Sequence, residues 1–235
     1  MKNIKGVIFD YGGTIDSRGV HWSEIIWEGF QLAQINVDKE HFRECYVYAE
    51  RELARTRHIL PHHNFYDLML IKANIELEYL ANQQLIDDKL IKPKSAIIAK
   101  YCYDSARECV EEARPTIAQL NEKFPLVLVS NFYGNVESVL KDFNILHYFD
   151  KIIESAVVGI RKPDPRIFSL GVEALHLKAD EVLVIGDSYK KDIMPAQSIG
   201  CKVAWLKGKG WTQEEDNVTH PNIISKLSEI FNASF

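Results

Sequence analysis

The sequence predicts an α/β protein in which a parallel sheet is interrupted by a long, mostly helical insertion. Two observations predict this class. Short apolar runs alternate with amphipathic helical segments from residue 116 onward, and the first apolar run, 6–9, is separated from the next, 126–129, by a long stretch of helical periodicity. The 235 residues are enough for one large domain or for a core domain with a substantial insertion.

The first predicted strand, 6–9, is an apolar run that ends in Asp10 and a glycine turn. Continuous apolar runs of this kind are typical of parallel strands buried on both faces. In parallel sheets the functional groups lie at the carboxyl ends of the strands, so Asp10 is a candidate nucleophile, a candidate metal ligand, or both.

The insertion is predicted to contain four or five helices. Ser23 and Asp38 are suitable N-caps for the first two, because apolar residues at helical spacing follow each of them. Residues 61–64 interrupt the pattern with a polar turn, and helical periodicity returns over 65–80 and 96–113.

Pro115 is predicted to end the insertion. Proline breaks the interior of a helix but suits its first turn, so a hinge is expected at 112–115 and a new helix over 116–123. The predicted core comprises 1–15 and 115–235, and the predicted helical domain comprises 16–114.

The rest of the chain has the alternating pattern of a parallel sheet with flanking helices, without an internal repeat or a low-complexity segment. The predicted strands are 126–129, 151–154, 182–185 and 202–206, and the predicted helices are 136–143, 166–175, a segment through Ala196 and one near 225–231.

Composition and charge argue against several classes of partner. The chain carries 28 Lys plus Arg and 33 Asp plus Glu, a formal charge of -5, which does not favour nucleic acid. The four cysteines form no CxxC pair, the amino terminus does not resemble a signal peptide, and no apolar run approaches membrane-spanning length. We therefore expect a cytoplasmic protein without a membrane or nucleic-acid partner.

Polar residues follow three of the predicted strands in an arrangement that suits a phosphate group. The glycine turn after Asp10 exposes backbone N–H groups, and Thr14 adds a hydroxyl donor. Ser130 and Asn131 offer a hydroxyl and an amide after the second strand. Lys162, just before a proline-led helix, can balance both a phosphate and a carboxylate nucleophile.

Two further acids, Asp187 and Asp192, follow the apolar run 182–186. Magnesium takes hard oxygen ligands and commonly uses one or two carboxylates, a demand that Asp10 and Asp187 together meet. The sequence therefore predicts a Mg²⁺ site, with Asp192 in a supporting position that steadies Lys162.

These motifs together resemble those of the haloacid dehalogenase-like (HAD) hydrolase superfamily. The four motifs are DYGGT at Asp10, Ser130 at a strand end, Lys162 before a proline, and GDSYKKD at Asp187. The resemblance implies a Rossmann-like core with a helical cap inserted after the first motif. It also implies an aspartyl-phosphate on Asp10, a phosphoryl group held by Ser130 and Lys162, and magnesium held by Asp10, Asp187 and the carbonyl of Gly12.

Gly12 departs from the pattern of the phosphatases in this superfamily. Those enzymes normally carry a second aspartate at this position, which serves as general acid and then as general base. Glycine keeps the backbone ligand but cannot transfer a proton, and acid–base catalysis is worth about 100- to 10,000-fold in rate. Asp16, His21 or a cap residue remain possible substitutes, although Asp16 and His21 also suit structural roles in the loop.

The resemblance implies a magnesium-dependent phosphatase or phosphotransferase that acts on a small phosphorylated metabolite, with hydrolysis weakened by Gly12. The first alternative is a protein that binds phosphorylated ligands without turnover. Retention of the metal-binding acid Asp187 counts against a dehalogenase. A phosphonatase-like enzyme would need a cap lysine that forms a Schiff base. The candidates are Lys39, Lys72, Lys89, Lys92, Lys94 and Lys100, and none stands out in the sequence.

Two groups of residues in the insertion favour structural roles. His58, His62 and His63 lack suitably spaced further ligands and indicate a polar turn rather than a metal site. The aromatic residues of the insertion favour packing over base stacking; they include Trp22, Trp27, Tyr101 and Tyr103.

Overall fold

A sheet of six parallel strands forms the centre of the computed structural model, which describes residues 3–233. The strand order is β3-β2-β1-β4-β5-β6, so the first strand of the chain lies inside the sheet. The strands are β1 (Gly6–Phe9), β2 (Leu126–Ser130), β3 (Lys151–Glu154), β4 (Val182–Gly186), β5 (Lys202–Leu206) and β6 (Ile223–Ile224). The predicted α/β class with a Rossmann-like parallel sheet is confirmed.

Both faces of the central strands are buried, as their continuous apolar sequences predicted. In β1, Val7 and Phe9 belong to the hydrophobic cluster shared with the insertion, while Ile8 points into the cluster on the opposite face. Strands β2 and β4 flank β1 and are buried at every position. This double burial fixes the direction of β1, so the residues that follow it reach the carboxyl edge of the sheet.

All of the insertion between β1 and β2 is helical or loop. Its helices are α1 (Trp22–Leu32), α2 (Lys39–Arg55), α3 (Phe65–Asn82) and α4 (Ile91–Asn121), and a short 3₁₀ helix, Asp88–Leu90, precedes α4. Asp38 caps α2 as predicted, through bonds from the backbone N–H groups of Glu40 and His41. Asn64 caps α3 in a capping box with Asp67.

The prediction that Ser23 caps the first helix is wrong. The helix begins two residues earlier than that cap implies, at Trp22, and His21 is its N-cap: the ring nitrogen Nδ1 of His21 accepts a hydrogen bond from the backbone N–H of Ser23 at 3.2 Å. An imidazole nitrogen can take the place of a hydroxyl oxygen here because it accepts through a lone pair at similar reach.

The predicted helix break at Pro115 is also wrong. Helix α4 continues through this proline to Asn121. Proline in a helix interior costs about 3 kcal/mol because it lacks an N–H donor and its ring crowds the preceding turn. Val110 and Ile117 are fully buried on either side, so the packing of one continuous helix outweighs that local cost. The division into 1–15, 16–114 and 115–235 stays a prediction.

The second half of the chain follows the predicted alternation of strands and helices. Helices α5 (Val136–Asp142) and α7 (Arg166–Leu175) match it closely, and α8 (Met194–Ser198) is the predicted segment through Ala196. Two short helices were not predicted, α6 (Ser155–Val158) and α9 (Gln213–Asp216). The predicted last helix near 225–231 is instead a 3₁₀ helix, Leu227–Phe231, preceded by the short strand β6.

No helix within residues 3–233 is both long enough and apolar enough to cross a membrane. The cysteines at 45, 102, 109 and 201 are free and buried.

Candidate active site

The side chain of Asp10 lies at the carboxyl end of β1, where three of the predicted site residues contact it. The ammonium nitrogen Nζ of Lys162 lies 2.6 Å from Oδ1 of Asp10, and Oγ of Ser130 lies 3.3 Å from the same oxygen. The hydroxyl of Thr14 donates to Oδ2 of Asp10 at 2.9 Å. Asp10 itself is only 3% exposed. The sheet thus brings together residues that lie far apart in the sequence.

Lys162 lies between two carboxylates. Its Nζ is 2.6 Å from Oδ1 of Asp192 as well as from Asp10, and all three side chains are buried. Burial disfavours the ammonium, but the two carboxylates outweigh burial and raise the pKa of Lys162 above its ordinary value. The side chain therefore remains a cation at the centre of the site.

Asp10, Asp187 and Asp192 form a cluster in which one oxygen from each lies within 4.8 Å of the others. Burial raises the pKa of Asp187 well above its ordinary value, and the charges of Asp10 and Asp192 add to this effect. Three acids and one lysine leave an excess of negative charge in a buried place. A divalent cation would compensate it, and carboxylate oxygens are the ligands that hard cations take.

The hydrogen bonds show which members of the cluster are free to bind a cation. Each oxygen of Asp192 already accepts one bond, Oδ1 from Lys162 and Oδ2 from the backbone N–H of Ser188 at 3.0 Å. Among the described residues, the carboxylate of Asp187 has one hydrogen-bond partner, the hydroxyl of Thr14 at 3.1 Å, whose single proton it shares with Asp10. Within residues 3–233, no donor contacts the carbonyl oxygen of Gly12. The donor set of Asp10, Asp187 and Gly12 therefore fits a divalent metal, and the bonds of Asp192 fit the predicted supporting position.

Two glycines permit this close arrangement. Gly13 has φ +97°, and a Cβ atom built on it would lie 2.4 Å from Oδ2 of Asp187. A Cβ on Gly186 would lie 2.5 Å from Cβ of Asp192. Gly12 is different, because the atom nearest to a Cβ at that position would be Cε2 of Phe132, 4.0 Å away. A side chain at position 12 has room.

Asn131 contacts the backbone of Lys162 with both ends of its amide. Its Nδ2 donates to the Lys162 carbonyl at 3.0 Å, and its Oδ1 accepts from the Lys162 N–H at 2.9 Å. These bonds tie the loop after β2 to the loop that carries Lys162. Direct contact of Asn131 with a phosphate group stays a prediction.

Asp16 and His21, which the sequence left open as proton carriers, both line the cavity above Asp10. Burial raises the pKa of Asp16 to about 8, and its Oδ1 accepts from the N–H of Gly13 and from Nε1 of Trp22. Its Oδ2 has no partner within the described residues. Burial lowers the pKa of His21 to about 4. At neutral pH both side chains are therefore uncharged.

Sequence reasoning missed two contacts to the acidic cluster. Nε1 of Trp205 donates to the backbone carbonyl of Asp187 at 2.6 Å, and the N–H of Ser188 binds Asp192. Trp205 is the register partner of Gly186 in β5, so its position was available only after β4 and β5 were paired. The histidines at 58, 62 and 63 take part in no metal-type cluster within residues 3–233, and His58 bonds Glu52 at 2.9 Å.

The cavity has a volume of about 570 Å³ and extends from the acidic cluster to the insertion. Asp10, Lys162 and Asp187 line it together with residues of α2 and α3. A cavity of this size is in the range that holds a small organic ligand.

Comparison with known proteins agrees with the fold. Residues 4–200 match the family described as haloacid dehalogenase-like hydrolase, and the chain belongs to this family.

Two curated relatives illustrate the range of similarity. Haloacid dehalogenase-like hydrolase domain-containing protein 3 of Bos taurus is 37% identical over 135 residues, which are 55% of this chain and 53% of that protein. Phosphoglycolate phosphatase of Vibrio cholerae is 27% identical over 212 residues, which are 86% of this chain and 83% of that protein. The chain spans about half the length of several curated relatives that it matches.

Among solved structures, a HAD-hydrolase of Bacillus subtilis bound to magnesium, YfnB, is similar with a TM-score of 0.60 and 20% identity. The similarity covers 98% of each chain. At this level of identity the comparison shows the shared fold.

Proposed function

We propose that the chain is a magnesium-dependent phosphatase or phosphotransferase that acts on a small phosphorylated metabolite through a phosphorylated Asp10. The observation that carries the proposal is the Asp10 carboxylate, held at the end of β1 by Lys162 at 2.6 Å and Thr14 at 2.9 Å. These bonds orient the carboxylate while the acidic cluster and the lysine balance the charge around it, and orientation and charge balance are the main requirements of phosphoryl transfer.

In the first step, a carboxylate oxygen of Asp10 attacks the phosphorus atom, and the bond from phosphorus to the leaving oxygen breaks. Water or a second acceptor hydroxyl then attacks the phosphorus of the acyl phosphate and regenerates the carboxylate. Lys162 compensates the charge on the phosphoryl oxygens, and Ser130 supplies a hydroxyl beside it.

Magnesium, held by Asp10, Asp187 and the carbonyl of Gly12, would supply positive charge to the transferred group. Thr14 acts through two of these ligands, and Asp192 acts through Lys162. Asp192 positions Lys162 at 2.6 Å, and the Thr14 hydroxyl lies between Asp10 and Asp187.

Gly12 gives the proposal its second element, a weakened hydrolysis step. The leaving oxygen must take up a proton, and the water must lose one, without the aspartate that phosphatases of this family normally carry. Asp16, protonated at neutral pH, is in the state that an acid needs, whereas His21, with its pKa lowered to about 4 and its Nδ1 accepting from the N–H of Ser23, is a weak base. A slow hydrolysis step would also favour transfer to an acceptor other than water.

A phospholigand-binding protein without turnover is the second candidate, and Gly12 is the observation that favours it. A phosphonatase-like route is less well supported. Lys72 stands out from the other candidate lysines because it is buried and lines the cavity. Glu50 and the other nearby acidic groups outweigh burial and raise its pKa well above the ordinary value. A protonated ammonium is not a nucleophile, so Schiff-base formation is disfavoured.

The test is phosphate release from p-nitrophenyl phosphate and a panel of phosphorylated metabolites, with magnesium and with EDTA. Asp10→Asn should abolish release, and Asp88→Asn, at an exposed acid of the insertion, is the matched control. Acid-quenched wild type should carry a phosphoryl group on the peptide that contains Asp10. Magnesium-dependent release that persists in Asp10→Asn would overturn the proposal, and ligand binding without any release would favour the second candidate.

A further inference from the structure

One wall of the cavity contains an ion pair, buried at Lys72 and partly exposed at Glu50, that the chemistry at Asp10 does not use. Lys72, on α3, is 3% exposed, and its Nζ bonds Oε1 of Glu50 on α2. The hydroxyl of Tyr133, which follows β2, donates to Glu50 at 3.3 Å and 3.4 Å. All three residues line the cavity. Because taking an ion pair out of water costs several kcal/mol per ion, a pair that faces a cavity is well placed to bind a ligand.

This pair has hydrogen-bonding capacity left over. An ammonium has three N–H donors, and within the described residues Lys72 uses one of them, on Glu50. The Glu50 carboxylate has about four acceptor positions, of which Lys72 and Tyr133 occupy only part. A ligand that reaches this wall therefore meets donors and acceptors side by side.

The surface next to this pair is aromatic. His21, Tyr46 and Trp211 all line the cavity, and they come from the start of α1, from α2 and from the loop after β5. Their ring centroids are 5.1 Å apart for His21 and Trp211, 5.3 Å for Tyr46 and Trp211, and 5.9 Å for His21 and Tyr46. The Nζ of Lys72 lies 4.1 Å from the Tyr46 ring centroid, which joins the aromatic surface to the ion pair.

We propose that this wall is a binding site for a flat heteroaromatic ring carried by the leaving group of the phosphoester. The ring lies against His21, Tyr46 and Trp211, and its polar edge bonds Lys72 and Glu50, as the nucleobase of a nucleoside monophosphate would. The inference rests on the proposed function, since it places the phosphoryl group of the same molecule at Asp10.

The chemistry of the wall distinguishes this class from small aliphatic phosphates. A ring presents an apolar face that gains by leaving water and by stacking on aromatic side chains. A nucleobase edge carries donors and acceptors together, which matches an ammonium beside a carboxylate. A two- or three-carbon leaving group without charged substituents presents neither a flat ring to the aromatic surface nor a charged partner to Lys72 and Glu50, so it would gain less from this wall.

The inference is tested by substrates that share the phosphoryl group and differ in the leaving group. We compare AMP and the other nucleoside 5′-monophosphates with glycerol 3-phosphate and propyl phosphate, whose leaving groups carry no charge, and measure kcat/KM for Asp10-dependent phosphate release. The ring-bearing substrates should exceed the aliphatic ones by about 100-fold, the effect of one stacked ring together with one charge-assisted hydrogen bond. Equal or higher kcat/KM for the aliphatic substrates would overturn the inference.

Variants of the wall identify the residues responsible. Lys72→Met should lower kcat/KM for AMP by about 10- to 100-fold, mainly through KM, and should lower the ratio of AMP to glycerol 3-phosphate. Lys100→Met, at an exposed lysine of α4, is the matched control and should leave the ratio unchanged. Trp211→Leu removes one ring of the aromatic surface. Trp211 lies in the loop after β5 and not in the helices of the insertion, so this variant tests the surface even if Lys72→Met does not fold.

Binding separates failure of this inference from failure of the proposed function. Calorimetry on Asp10→Asn with AMP, glycerol 3-phosphate and inorganic phosphate needs no turnover. Tighter binding of AMP that Trp211→Leu abolishes would support the ring site even if no substrate released phosphate. AMP binding no tighter than inorganic phosphate would overturn the inference, whatever the catalytic assay shows about Asp10.

Discussion

Replacing Lys162 with Met tests the charge balance of the site without any assumption about a substrate. The ammonium lies 2.6 Å from a carboxylate oxygen of Asp10 and 2.6 Å from one of Asp192, and the side chains of all three are at most 5% exposed. Removing one partner of a buried pair leaves an uncompensated charge and costs about 3–5 kcal/mol. Because Lys162 serves two carboxylates, we expect the upper part of that range for Lys162→Met in EDTA.

The assay is urea unfolding followed by circular dichroism, and Lys5→Met is the control. Lys5 also pairs with a carboxylate, Glu181, at 2.5 Å, but the lysine side chain is 61% exposed. Exposed pairs contribute about 0–1 kcal/mol, so the control should unfold almost as the wild type does. For a chain of this size, the loss expected in Lys162→Met, about 4–5 kcal/mol, corresponds to a fall in Tm of roughly 8–20 °C.

Magnesium adds a second comparison. If the acidic cluster around Asp10 and Asp187 binds the cation, millimolar magnesium should recover part of the stability that Lys162→Met loses, because the metal then compensates the same carboxylates. A loss in EDTA no larger than that of Lys5→Met would refute the reasoning, since it would show that the acids do not depend on the ammonium.

Three further predictions concern the turn after β1. Gly12→Asp, where a Cβ has no neighbour closer than 4.0 Å, should raise the rate of phosphate release by about 100- to 10,000-fold, and an unchanged rate in a folded variant would show that proton transfer is not limiting. The pKa of Asp16 is raised to about 8, so between about pH 4 and pH 8 the folded chain keeps a proton that the unfolded chain loses, and stability falls as pH rises. Asp16→Asn should remove this dependence of stability on pH and raise the free energy of unfolding by a few kcal/mol at pH 8. Urea unfolding at pH 5 and pH 8 measures it, and an equal fall in the free energy of unfolding for wild type and variant would contradict it. Gly13→Ala should destabilise the protein more than Gly134→Ala. Both glycines have positive φ, but only at Gly13 would a Cβ atom clash, 2.4 Å from Asp187. Equal urea midpoints for the two variants would count against this.

The predicted elements were most accurate where the signals are local. The Asp38 cap of α2 and the strands at 151–154 and 202–206 agree with the structure to the residue. A side-chain cap or a short apolar run acts on neighbouring backbone, so its effect can be inferred from adjacent residues alone.

The prediction failed where distant packing outweighs a local preference. Pro115 disfavours a helix locally, yet α4 continues because buried residues on both sides hold it in one piece. Lys72 could not be distinguished from the other lysines of the insertion, since each lies in a helical segment of mixed polarity. Its burial and its pairing with Glu50 depend on how α2 packs against α3.

The sequence by itself determined that Asp10, Ser130, Lys162 and Asp187 would meet at one edge of a parallel sheet. Each follows a strand-like segment, and parallel strands of one sheet deliver their carboxyl ends to the same side.

Only the tertiary structure decided which of these groups contact one another and which oxygens remain available to a metal. Which carboxylate Lys162 contacts, and whether an oxygen of Asp187 remains free for a metal, depend on distances of a few tenths of an ångström between segments far apart in the chain. The same holds for Gly12, where the sequence shows a missing carboxylate but the fold alone shows that a Cβ atom there meets no close neighbour. Hydrogen bonds and ion pairs have short reach, so composition and spacing do not determine them.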